Sequence, residues 1–177
     1  PWRKADVPAA SHPTVAAAIA TLGGARKGDV VWDPFVGSGG ELCERARLGD
    51  ARRFIGTDLS EDALRAARLN TDAAKIHAEL VLSDARAFEP GEPVDLIVTN
   101  PPMGRRVLRH RGDVENLLAS FLGRAARVLS PDGRIVWVSA HPASTREAAA
   151  KNGLRLTDAY TIDLGGFDVE LQRFSRT

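Results

Sequence analysis

A chain of 177 residues, 44% hydrophobic and without a biased tract, has the size of one domain built on a single core. Its apolar residues fall in short runs broken by Gly, Pro or Asp, none approaching the roughly 18 to 20 that cross a bilayer as a helix, so no membrane partner is expected. With 24 basic against 23 acidic side chains and a formal net charge of +1, global charge argues neither for nor against nucleic acid. Any electrostatic footprint has to be local.

The N-terminus, Pro1-Trp2-Arg3-Lys4, has no initiator Met and none of the apolar core of a secretory signal; it reads as the cut edge of a longer protein. Thr14 to Leu22 is Ala-rich, ends at Gly23-Gly24 and predicts a packing helix, making residues 1–28 a helical lead-in and 29–177 the main domain. From Asp29 onward short β-branched runs alternate with longer amphipathic segments, the pattern of strand-helix units around a parallel sheet. Strands are predicted over Val30 to Asp33, Arg53 to Asp58, Leu80 to Ser83, Asp95 to Asn100 and Arg134 to Ser139. Continuously apolar runs such as Ile135-Val136-Trp137-Val138 suit strands buried on both faces. Helices are predicted over Glu41 to Leu48, Glu61 to Ala73, Val114 to Leu129 and Thr145 to Lys151, with Ser60 and Ser144 as N-terminal caps.

Pro131-Asp132-Gly133 is a turn signal, and Asn152-Gly153 closes the helix before it. Leu154 to Asp163 and Phe167 to Phe174, separated by Gly165-Gly166, predict a terminal antiparallel hairpin. Seven strands follow in total. The single cysteine, Cys43, cannot close an internal disulfide, which makes a reducing cytoplasm the default compartment. It lies in an apolar-periodic stretch and reads as a small core residue. His12, His77 and His141 have no ligand spacing among them, and no metal is expected.

The first strand runs into a helix through Asp33-Pro34-Phe35-Val36-Gly37-Ser38-Gly39-Gly40, placing a glycine loop at the carboxyl edge of the sheet, where open α/β sheets bind ligands. Gly37 and Gly39 allow a sharp turn and close backbone approach. A dinucleotide loop does the same, but its G-x-G-x-x-G fingerprint is missed here, with Leu42 in the third glycine's place. Asp58, about 20 residues on at the end of the second strand, can accept hydrogen bonds from both hydroxyls of an adenosine ribose. Asp84, after the third strand, is placed to accept from an adenine amino group. Each acid alone is equally a turn former; three at successive strand ends beside a glycine loop form a pattern.

Thr99-Asn100-Pro101-Pro102-Met103-Gly104 ends the fourth strand. An amine conjugated to a base is a poor nucleophile, because its lone pair is delocalised into the ring. The Asn100 carboxamide oxygen and the Pro101 carbonyl can each accept one amine hydrogen and aim the lone pair. Two prolines fix φ at both positions and remove two competing N–H donors, which holds the turn rigid.

Asn100-Pro101-Pro102 in that place, with Asp33-Pro34-Phe35-x-Gly37-Ser38-Gly39 after strand one, resembles the class I S-adenosylmethionine-dependent methyltransferases that act on amino groups. Within them the chain is most similar to the RNA methylase domains that follow a THUMP RNA-binding module and methylate the guanine amino group of tRNA. Four stretches carry that likeness: Ala5-Asp6-Val7-Pro8-Ala9 with Ser11-His12-Pro13, the glycine loop, the segment Thr99 to Arg106, and Val169-Glu170-Leu171-Gln172-Arg173-Phe174.

The resemblance implies a Rossmann-like class I methyltransferase α/β fold: a mostly parallel seven-stranded sheet, helices on both faces and a C-terminal antiparallel hairpin. It implies S-adenosylmethionine as cofactor and S-adenosylhomocysteine as product. Asp33, Phe35, Gly37, Ser38, Gly39, Asp58, Leu59, Asp84, Ala85 and Asn100 would hold the cofactor, with Asn100, Pro101 and Pro102 catalytic. It also implies RNA, tRNA foremost, as partner, and an RNA-binding module N-terminal to this chain. Ser11 to Pro13 would lie beside the cofactor's methionine end, although a helix-capping loop accounts for them equally well.

Met103 departs from the family pattern, in which an aromatic residue follows the prolines and stacks on the target base. A thioether can pack there, more softly. Arg105, Arg106, Arg109 and Arg111 with His110 form a basic stretch suited to phosphates flanking a flipped base, or equally a solvated loop. Adenine N6, a protein glutamine amide, or a catalytically silent cofactor-binding module remain the alternatives.

Overall fold

Alternation along the central strands decides which helices they carry. The computed structural model describes residues 2–7, 10–103 and 111–177, in the order α1 (Pro13–Gly23), β1 (Val30–Asp33), α2 (Gly40–Ala46), β2 (Arg53–Asp58), α3 (Glu61–Ala73), β3 (Ala78–Leu82), β4 (Val94–Thr99), α4 (Arg111–Val128), β5 (Leu129–Ser139), α5 (Pro142–Lys151), β6 (Leu154–Asp163) and β7 (Asp168–Arg176). Trp32, Ile55, Ile97, Ile135 and Trp137 point to one face and pack with Leu118, Phe121, Leu122 and Ala125 of α4. Val31, Phe54, Leu96, Val98 and Val136 point to the other and pack with Val15 and Ile19 of α1, Leu42 of α2 and Ala67 of α3. With period-two side chains and helices on both faces, each β-branched run is buried twice, which is why the runs read as continuously apolar.

The strand order is β3-β2-β1-β4-β5-β7-β6. Neighbours from β3 to β5 are parallel, whereas β7 pairs antiparallel with both β5 and β6. The predicted Rossmann-like fold with its terminal hairpin is therefore what forms. The strand order, not the strand direction, switches between β1 and β4, the crevice in which such sheets take ligands.

Several boundaries differ from expectation for local reasons. The strand β3 starts at Ala78 because its ladder with β2 begins at Phe54 opposite Ala78. The turn Pro131-Asp132-Gly133 lies inside β5: Val94 pairs with Leu129 and Leu96 with Arg134, so the intervening residues bulge opposite Asp95, whose carboxylate accepts from Ser130 Oγ at 2.8 Å. Ser60 caps α3, accepting from Ala63 N–H at 3.3 Å. Ser144 does not cap α5. That helix begins three residues earlier than predicted, at Pro142, with His141 at the cap position; proline is favoured at the first helical position because its missing N–H is not needed there.

At the amino edge of the sheet, Asp29 is buried and accepts from Arg134 Nη2 and Arg45 Nη2, both at 2.9 Å. Burial alone would raise its carboxyl, but Arg134 and Arg45 hold it below its ordinary value. Arg134 also donates to the Gly23 carbonyl at 2.6 Å, tying the end of α1 to β5. Cys43 is buried as expected, and burial with the nearby Glu44 and Glu41 charges pushes its thiol up to about 12. Among the described residues no helix is long and apolar enough to cross a membrane.

Candidate active site at the carboxyl edge

Parallel pairing sets the ends of β1, β2, β3 and β4 side by side, so Asp33, Asp58 and Asn100 converge though they are far apart in sequence. Asp33 ends β1 opposite Gly56. Its Oδ1 accepts from Thr99 Oγ1 at 2.6 Å and from Phe35 N–H at 3.2 Å, linking β4 to the glycine loop. Its Oδ2 is buried and has no partner among the described residues. Burial, reinforced by the Glu41 charge, pushes the Asp33 carboxyl well above its usual range.

The glycine loop is held from below. Val36 N–H donates to the Thr57 carbonyl at 2.9 Å, and Gly37 N–H donates to Asp58 Oδ2 at 3.0 Å. Gly37 and Gly39 have φ of 50° and 80°, in the left-handed region open to glycine. At Gly39 a Cβ would also sit 3.4 Å from Ala67 of α3. Ser38 is buried, and its carbonyl accepts from Asn70 Nδ2 at 2.8 Å. Phe35 stacks edge-on against Phe121, with centroids 5.4 Å apart.

Asp58 Oδ1 accepts from Ser60 N–H at 2.9 Å, so each of its oxygens holds one backbone donor and keeps one further lone pair. Leu59 beside it is 73% exposed, an apolar side chain left at the sheet edge. Asp84 is turned to Arg86, whose Nε lies 2.9 and 3.1 Å from its two oxygens and whose Nη2 donates at 2.5 Å. That guanidinium keeps the Asp84 carboxyl below its ordinary value. With Arg86 N–H added at 2.9 Å, Arg86 brings three donor hydrogens to Asp84 and leaves one of its four lone-pair sites open. The Ala85 side chain is buried in the core beneath α4.

Asn100 follows β4. Its Nδ2 donates to Ser11 Oγ at 2.8 Å, while its Oδ1 is buried and has no partner among the described residues. Ser11 Oγ donates in turn to Glu41 Oε1. Pro101 is buried and Pro102 half-buried. Met103 is partly buried, packed against the core under α1. Arg105, Arg106, Arg109 and His110 lie outside the described residues, as does the side chain of Arg111. No cluster of His, Cys, Asp and Glu able to hold a metal occurs among the described residues.

The helix-capping reading of Ser11 to Pro13 is met by His12, whose Nδ1 accepts from Thr14 N–H at 3.4 Å at the head of α1, while Ser11 is bonded to Asn100 and Glu41. Two residues escaped sequence reasoning. Glu41 reads as an ordinary first-turn acid on a helix, yet it is buried, and burial raises its carboxyl. Asn70 reads as one polar residue on α3, yet its side chain accepts from Lys4 and Ala5 N–H at 2.6 and 2.9 Å and donates to the Ala5 and Ser38 carbonyls, both at 2.8 Å.

The family model of UPF0020, described as RMKL-like, methyltransferase domain, matches residues 1–170. A tRNA (guanine(10)-N2)-dimethyltransferase of Methanothermobacter thermautotrophicus is 33% identical over 135 residues, covering 76% of this chain and 40% of that protein. A U6 snRNA (guanine-N(2))-methyltransferase, THUMPD2, of Bos taurus is 32% identical over 126 residues, covering 70% of this chain and 24% of that protein. Among solved structures, TrmN from Thermus thermophilus superposes with a TM-score of 0.80 at 30% identity, covering 93% of this chain and 49% of that one. The chain spans less than half the length of these relatives.

Proposed function

The chain belongs to the UPF0020 family of RMKL-like methyltransferase domains, and from that premise we propose that it transfers a methyl group from S-adenosylmethionine to guanine N2 in RNA, tRNA foremost. The observation that carries the reading is Asn100 Oδ1, a buried acceptor without a partner among the described residues. A buried carbonyl oxygen left unsatisfied costs about 1 to 3 kcal/mol, which an amine hydrogen arriving from the open end of the sheet would relieve.

The residues present fit this cofactor. Asp33 Oδ2 is a second buried acceptor without a partner among the described residues, and an approaching cation would favour its ionised form. Asp33, Phe35, Gly37, Ser38, Gly39, Asp58 and Leu59 would hold the cofactor, with the free lone pairs of Asp58 suited to ribose hydroxyls. Asp84 would offer its one remaining lone pair to the adenine amino group beside Arg86, and Ala85 could contribute only its backbone. When bound, S-adenosylmethionine supplies a methyl on a sulfonium, which departs as a neutral thioether.

This chain's own task is to orient the amine. Asn100 Oδ1 and the Pro101 carbonyl accept its two hydrogens, drawing the lone pair out of conjugation. Pro101 and Pro102 keep that pair of acceptors from rearranging. Orientation of this kind can supply up to roughly 7 to 11 kcal/mol of barrier reduction. Recognition of the RNA outside the target base falls to a module beyond this chain, and Arg105 and Arg106 to flanking phosphates. A reducing cytoplasm suits the buried, protonated Cys43.

The test is incubation of the protein with radiolabelled methyl donor and total tRNA, then nucleoside analysis. Labelled N2-methylguanosine is expected. Asn100→Ala should lower turnover roughly a hundred- to a thousandfold, by analogy with loss of a transition-state hydrogen bond, while leaving cofactor affinity nearly unchanged; Asp58→Ala should weaken that affinity. Equal turnover in Asn100→Ala would remove Asn100 from the mechanism, and label in protein instead of RNA would reassign the substrate.

A further inference from the structure

The Asn100 amide has two faces, and only one is useful: with Nδ2 toward substrate the site would offer an amine another amine. We propose that Ser11 and Glu41 act as positioning residues that fix which way the Asn100 amide faces, a role that rests on the reading of Asn100 given above. With the Glu41 carboxyl ionised, or with its proton on Oε2, Oε1 can only accept, and Ser11 donates its single hydroxyl hydrogen to it. Ser11 Oγ then has only lone pairs left for Asn100. It can take an N–H but offer nothing to a carbonyl oxygen, so Asn100 presents Nδ2 to Ser11 at 2.8 Å and leaves Oδ1 without a partner among the described residues.

The relay is rigidly mounted. Glu41 is 4% exposed, in the first turn of α2 directly after the glycine loop. The Ser11 carbonyl accepts from Arg3 Nη1 at 3.1 Å. A reversed amide would set Asn100 Oδ1 against Ser11 Oγ, two acceptors in contact with no hydrogen between them, and would do so in a buried site where electrostatic penalties are large. Cofactor loop, N-terminal segment and catalytic turn are thus joined through one hydroxyl.

The test reads amide orientation without turnover. In the isotope-labelled chain, the Asn100 side-chain NH2 signals, identified by their loss in Asn100→Ala, are expected to exchange slowly with solvent. Ser11→Ala should speed that exchange at least about tenfold, and Glu41→Leu should do so too by freeing the Ser11 hydrogen to turn toward Oδ1. Ser11→Thr and Glu41→Gln, which can keep hydroxyl and acceptor, should retain slow exchange, separating orientation from general loss of structure. Fast exchange in the native chain, or continued protection in Ser11→Ala, overturns the proposal whatever the methylation assay shows. In that assay Ser11→Ala should lower kcat about tenfold, and should lower it no further when added to Asn100→Ala. Independent, multiplying losses in the double variant would also overturn it.

Discussion

Asn70 offers the sharpest test of how the site is assembled. Its fully buried side chain makes four hydrogen bonds, two accepted from Lys4 and Ala5 N–H and two donated to the Ala5 and Ser38 carbonyls. In Asn70→Ala the Ser38 carbonyl is left buried, at about 1 to 3 kcal/mol. The three bonds to residues 4 and 5 contribute about 0.5 to 1.5 kcal/mol each, partly recovered when that segment lifts and rehydrates. The net expectation is a loss of about 3 kcal/mol. At roughly 2 to 4 °C per kcal/mol for a chain of this size, the melting temperature should fall by roughly 6 to 12 °C. Circular dichroism through thermal and urea unfolding measures this, and hydrogen exchange at Lys4 and Ala5 reports the local release. Asn70→Asp keeps the acceptor but opposes an oxygen to both carbonyls, so it should be no more stable than Asn70→Ala. A loss under about 1 kcal/mol in Asn70→Ala, or an Asp variant clearly more stable than the Ala one, would refute the four-point clamp.

Gly56→Ala would place a Cβ 2.7 Å from Val36 Cγ2 and 2.8 Å from Leu80 Cδ2; overpacking should cost about 1 to 3 kcal/mol, read by urea unfolding, and an unchanged midpoint would show that Val36 and the glycine loop can yield. For Asp33, burial and the Glu41 charge raise the folded-state carboxyl, so the native state binds a proton that the unfolded chain releases. Its contribution to stability is present below the ordinary value of about 3.9 and is lost as pH rises through the raised one. The stability difference between the native protein and Asp33→Asn should therefore shift against the native protein as pH rises from about 4; a difference that stays flat across denaturant titrations would contradict this. Asp29, held low by Arg134 and Arg45 against the opposing effect of burial, has the opposite sign. Its contribution should be lost as pH falls through its depressed value, and Asp29→Asn should flatten the acid limb of the unfolding profile.

Much of this molecule was legible in local pattern. Strands such as Val30–Asp33 and Arg53–Asp58 and the helix Glu61–Ala73 announce themselves through β-branched runs, a Ser60 cap and first-turn acids, because these preferences act over a few residues. The glycine loop and Asn100-Pro101-Pro102 are legible as candidate site segments from residue type and neighbour order. Local pattern misled where a longer ladder or a proline outweighed it: Ser144 has the chemistry of a cap, yet Pro142 starts the helix earlier. The turn at Pro131 to Gly133 was read from composition, but only the pairing of β5 with β4 made it a bulge inside a strand.

What the tertiary structure alone decided is the partnership of distant polar groups. Nothing near Glu41 in sequence says that it receives the Ser11 hydrogen, nor near Asn70 that it clasps Lys4, Ala5 and Ser38. A buried polar atom must find a partner or remain unsatisfied, and which partner is available depends on strand order and helix packing, not on the residues beside it in the chain. The sequence by itself determined most elements, the glycine loop and the Asn100-Pro101-Pro102 turn that ends β4. Folding determined which acceptors are consumed inside the protein and which, Asp33 Oδ2 and Asn100 Oδ1, stay buried without a partner among the described residues.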